Sequence, residues 1–109
     1  MANTFKVLGQ VKPGAASLTT LYTVPALTQA IAATVVACNQ SATPTAFRVS
    51  VQVAGAADDP KQYVAYDVPI GGNAVVPLPH ALVLGAGDII KVYNTLATVS
   101  FTAFGEEIT

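Results

Sequence analysis

His80 is the only histidine in the chain, and it stands between Pro79 and Ala81. A hydrolytic site needs such a base within hydrogen-bond reach of a nucleophile. No serine or cysteine near His80 sits in a recognisable nucleophile setting. It reads as a surface or packing imidazole, and the chain as non-enzymatic. Asp58 and Asp59 would suit a calcium ion, which takes oxygen ligands. Neighbours in a turn point apart, however, and "AADDP" reads as a solvated turn whose carboxylates bond their own backbone. Glu106 and Glu107 resemble an acid/base pair only in sequence. Consecutive strand residues face opposite ways, so they do not converge, and they are expected to keep a sheet edge soluble. Asp88, after Gly87, is expected to bond backbone amides in its turn. Cys38 is the single cysteine, so no disulfide forms within the chain, and with one histidine it cannot build a structural zinc site. It reads as a small buried side chain. "GAG" and "GG" lack the strand–loop–helix setting of a phosphate cradle. No catalytic, cofactor-binding or metal-binding residue is assigned.

Sugar recognition favours exposed aromatics, tryptophan above all. The chain has no tryptophan. Its tyrosines, Tyr22, Tyr63, Tyr66 and Tyr93, fall inside predicted strands, where a tyrosine usually spans core and rim. A carbohydrate-binding role is therefore the weakest of three functional readings.

The elements that must position these residues follow from punctuation. Prolines at 13, 25, 44, 60, 69, 77 and 79, together with the glycines, cut the chain into pieces about ten residues long. "TAFRVSVQVAG" alternates clearly. Phe47, Val49, Val51 and Val53 are placed inward, with Arg48, Ser50 and Gln52 outward on a wet face. Strands are predicted at about 3–11, 18–24, 29–38, 45–53, 62–69, 89–95 and 97–108. In 18–24, Leu18, Thr20, Tyr22 and Val24 should share one side, and Thr19, Leu21 and Thr23 the other. Pro77 and Pro79 cannot donate to a ladder, so 74–84 should be an edge, a bulge or two short strands. "GAGD" predicts a turn with glycine at positive φ. No stretch has helical periodicity. The prediction is a single-domain, all-β antiparallel sandwich of eight or nine strands, with jelly-roll connectivity as one option. Residues 1–17 are read as an extended N-terminal arm and 18–109 as the sandwich.

The composition raises a question about the surface. Of 109 residues, 10% are charged and 52% hydrophobic, with a formal net charge of −1. Ordinary soluble domains carry roughly 25% charged residues. "AIAATVVACN" and "NAVVPLPHALVLGAGDII" are apolar or small on both faces. Such strands suit a molecule whose outer walls lie against other chains. The five Lys and Arg stand singly, which leaves no footprint for nucleic acid. No run reaches the roughly 18 to 20 apolar residues of a membrane helix. "MANTFKVLGQ" lacks a secretory pattern, so synthesis in a reducing cytoplasm is expected.

"LYTVP", the following Val-rich strand with "CN", then "FRVSV", "AGD" and "TLATVSFTAFGEEI" resemble a family of small virion proteins of tailed bacteriophages. The likeness runs over 18–109, and "GQVKPGA" also fits it. It implies an all-β structural component of the particle, without assigning functional residues. The leading expectation is a capsid decoration (cement) protein. It would be homotrimeric, would bind the major capsid protein, and would reside in virions assembled in the host bacterial cytoplasm. It would have no nucleic-acid, membrane or small-molecule partner. The alternatives are a tail, baseplate or fibre-attachment adaptor, and a host-surface carbohydrate-binding module.

Overall fold

Strands form where prolines and glycines leave β-branched and aromatic residues uninterrupted. The computed structural model describes residues 2–109. In chain order the strands are β1 (Asn3–Val11), β2 (Thr19–Thr23), β3 (Gln29–Asn39), β4 (Thr45–Gln52), β5 (Tyr63–Ile70), β6 (Val75–Pro77), β7 (Leu82–Leu84), β8 (Ile89–Asn94) and β9 (Val99–Ile108). Two single 3₁₀ turns, Val53–Gly55 and Pro60–Gln62, are the only helical pieces among the described residues. Neither they nor any other described segment makes a helix long and apolar enough to cross a membrane.

The strands make two sheets. One has the order β1-β9-β3, with β6 and β7 both on the far side of β3; the other is β2-β8-β4-β5. Every pairing is antiparallel. The partners are nested: β1 with β9, β2 with β8, β3 with β6 and β7, and β4 with β5. A double strand rolled up in this way is a jelly roll. The segment read as an arm forms β1 at the rim of the larger sheet, hydrogen-bonded to β9. Its first residue, Met1, lies outside the described residues.

The proline-containing segment 74–84 forms two short edge strands, as expected. β6 pairs with Val36–Cys38 and β7 with Ala30–Ala32, so together they cover β3 as one interrupted strand. Pro77 and Pro79 interrupt the ladder because neither has an N–H to give. Gly87, at φ +84°, makes the expected turn before β8.

The core lies between the sheets. Phe47 of β4 meets Phe101 of β9 edge to face, with ring centroids 5.8 Å apart. Val49, Ile90, Val92, Val99 and Ala103 pack around them. Asn39 and Asn94 are buried polar ties. Asn39 Nδ2 donates to the carbonyls of Thr43 (2.9 Å) and Gly71 (3.1 Å), while its Oδ1 accepts from the Ser41 amide. Asn94 Oδ1 accepts from the amides of Thr98 and Val99. Satisfied buried amides of this kind hold connecting loops at the ends of the sheets.

Bulges break the simple alternation. A register shift between Thr20 and Tyr22 turns both Leu21 and Tyr22 inward, although strict period two would separate them. On β4 the outward residues Ser50 and Gln52 are buried, not wet, because β5 and β8 flank the strand on both sides. Val53 has left the strand for a 3₁₀ turn and is exposed.

Candidate functional site

The residues with chemical potential are scattered. His80 is exposed in the bend between β6 and β7. Asp59 caps the turn Pro60–Gln62: its Oδ1 accepts from the Lys61 amide, and the Gln62 side chain accepts from the Asp59 amide. Asp58 faces a different partner, accepting from the Tyr63 hydroxyl at 3.0 Å. Asp88 accepts from the amides of Gly85 (2.9 Å) and Ala54 (2.8 Å), the backbone role expected of it. Cys38 is half-buried on the outer side of β3, not enclosed in the core. Among the described residues no three His, Cys, Asp or Glu side chains come together as metal ligands.

Glu106 and Glu107 diverge, but neither lies on an edge, because β9 runs between β1 and β3. Glu107 points between the sheets. It accepts a hydrogen bond from the Tyr22 hydroxyl and pairs with Lys6 at 3.1 Å. The Tyr22 bond, then Lys6, hold its carboxyl below the usual carboxylate range. Burial and the same bond push the Tyr22 hydroxyl up. Glu106 points outward, and one of its carboxylate oxygens has no hydrogen-bond partner.

Two surfaces remain as functional candidates, one on each sheet. The outer face of the larger sheet is apolar. Phe5 is 78% exposed and Val83 80%; Val7 and Phe104 lie opposite each other across β1 and β9, and Val75 is also exposed. Ile31, Thr34, Val36 and Cys38 fill the strand between them. Glu106 is the one charged side chain that the strand pairing places on this face. Isolated exposed hydrophobics are ordinary, but a run across several strands marks a surface meant to be covered.

The outer face of the smaller sheet carries a tyrosine–arginine platform. The Arg48 guanidinium lies 4.1 Å from the Tyr66 ring centroid and 4.4 Å from that of Tyr93. Its Nε and Nη2 donate to Asp67 at 2.7 and 3.4 Å, and this pairing raises its pKa further. Tyr63 meets Tyr66 edge to face at 5.2 Å. Burial, then its bond to Asp58, push the Tyr63 hydroxyl up. Tyr63 and Tyr66 are three residues apart, so a regular strand would put them on opposite faces. Register shifts between β4 and β5 on both sides of Ala65, with Asp67 at φ +51°, bring both outward. Aspartate tolerates that left-handed conformation better than most residues. Sequence reasoning noticed each tyrosine but missed the cluster. Its one available signal was Arg48, expected outward; that Tyr93 lies beside it follows only from the β4–β8 pairing.

No known protein family, curated protein or solved structure matches the chain.

Proposed function

We propose that the chain is a non-enzymatic structural protein of a tailed-bacteriophage particle, a decoration protein that clamps neighbouring major capsid subunits from outside as a homotrimer. The observation that carries this reading is the uncovered apolar wall of the β1-β9-β3 sheet. Burying one such Phe or Val fully contributes roughly 1.5–3 kcal/mol. Several at once supply an interface without charge pairing. Small neighbours such as Ser100 and Thr102 permit close, flat contact with little side-chain entropy to lose. Repetition around a symmetric shell multiplies weak individual contacts, and each occupied site stabilises the shell by mass action. The motif resemblance to small virion proteins supports the same reading. A jelly roll alone does not, since the fold serves shells and lectins alike.

The test is gel quantification of this chain against the major capsid protein in purified particles, joined to binding on empty capsid shells. Copies in the hundreds and saturable shell binding, abolished by Phe5→Asp, are expected. A handful of copies and no shell binding would turn the reading toward a tail or baseplate adaptor.

A further inference from the structure

We propose that the pocket formed by Arg48, Asp58, Pro60, Tyr63 and Tyr66 binds an uncharged sugar ring. It is an open depression of about 460 Å³ on the face opposite the apolar wall. Small-ligand sites run from about 300 to 1,000 Å³, so there is room for a sugar ring or two.

The lining selects the ligand by charge and by shape. The lining holds one carboxylate, Asp58, and one guanidinium, that of Arg48, which Asp67 holds from outside the pocket. With these charges balanced, the lining has no net charge to draw a phosphate, a sulfate or an acidic peptide. A cation fares no better, because the Arg48 guanidinium forms part of the wall. A neutral polyol is left. Tyr66 is 59% exposed, more than any other tyrosine, and the part of its ring left open beside the Arg48 guanidinium offers an apolar surface against which the C–H face of a pyranose stacks. Asp58 spends Oδ1 on the Tyr63 hydroxyl, so Oδ2 remains to accept from a sugar hydroxyl. Arg48 spends Nε and Nη2 on Asp67, and its Nη1 hydrogens remain to donate to a ring or hydroxyl oxygen.

The site is also ordered in advance. The Asp59 capping box fixes the turn Pro60–Gln62, and buried Gln62 donates to the Ala57 carbonyl at 2.8 Å. Asp58 and Pro60 are thereby held against Tyr63, so binding costs little further ordering. The pocket and the apolar wall lie on different sheets, so each stands or falls separately from the other.

The experiment is saturation-transfer NMR and calorimetry on the full chain. The neutral probes are maltotriose, cellotriose, lactose and mannotriose, with 3′-sialyllactose as the anionic probe and choline as the cationic one. At least one neutral probe should bind at millimolar affinity or better. Tyr66→Ala should weaken it at least about tenfold, since the stacking surface is lost. Tyr66→Phe should retain binding, Asp58→Asn should weaken it, and Phe104→Ser should leave it unchanged. If Tyr66→Ala fails to fold, ring-proton shifts of Tyr63 and Tyr66 in the unaltered chain locate the ligand. The proposal is overturned by silence from every neutral probe. Tighter binding of sialyllactose or choline, survival of neutral binding in Tyr66→Ala, or shifts confined to other residues would overturn it equally.

Discussion

The two outer faces of the sandwich were built by the same alternation and finished differently. On the smaller sheet, Ser50 is fully buried between Tyr63 and Lys91 on the flanking strands, and Arg48 lies against two tyrosine rings. That face carries its own cover. On the larger sheet Phe5, Phe104 and Val83 have none. Exposed apolar side chains also occur singly elsewhere, as at Leu27 and Val53, but only the larger sheet lines them up across neighbouring strands. A molecule whose composition alone kept it poorly hydrated would show the same pattern on both sides.

Both faces rest on one rigid frame, and the largest effect tests that frame. Phe47→Ala should cost about 3–5 kcal/mol in urea unfolding, because its ring fills the centre against Phe101. A loss below about 1 kcal/mol would mean the two faces do not rest on one core. Asn39→Ala comes next, at about 1–3 kcal/mol, because it leaves the Thr43 and Gly71 carbonyls and the Ser41 amide without their partner.

A smaller, pH-dependent effect reports on how the sheets are joined. The folded-state pKa of Glu107 is depressed, so its contribution is fully present above the ordinary value of 4.5 and is lost as pH falls through the folded value. Glu107→Gln should therefore lower Tm at pH 7, and the difference from the unaltered chain should shrink as the solution is acidified toward pH 3. A difference that stays constant or grows on acidification would show that the carboxylate does not link Tyr22 and Lys6 as described.

The smallest effects on stability discriminate best between the faces. Phe104→Ser should change unfolding free energy by no more than about 0.5 kcal/mol, and Tyr66→Ala should cost about 1 kcal/mol, because its ring meets Arg48 and Tyr63. Phe104→Ser should weaken shell binding or self-association while sparing sugar binding, and Tyr66→Ala should do the reverse. If either variant disturbed both, the faces would not be independent.

The fold was largely legible because its signals are local. Proline at 77 and 79 forecast the broken edge, "GAGD" forecast the turn at Gly87, and alternation forecast the inward Phe47. The strand order was not legible, because pairing partners in a nested roll lie far apart in sequence and no local residue names its partner. That is why Glu106 and Glu107 were assigned to an edge while β9 lies inside its sheet. The faces failed wherever a bulge intervened. Leu21 and Tyr22 share the core, and Tyr63 and Tyr66 share the outside, against a period of two. The platform could not be anticipated without those register shifts. The apolar wall was foreshadowed by strands such as "AIAATVVACN", whose outer face offers water little beyond the Thr34 hydroxyl.

The nesting of partners also imposes a schedule. Ser50 and Tyr63 meet after a short excursion, whereas Asn3 must find Ile108 at the opposite end of the chain. Closing a longer loop loses more chain entropy, so the inner hairpin is favoured to register early and the outermost pair late. Amides of β1 should accordingly surrender their protons to heavy water sooner than those of β4, and the strand bearing Phe5 would be the last one completed.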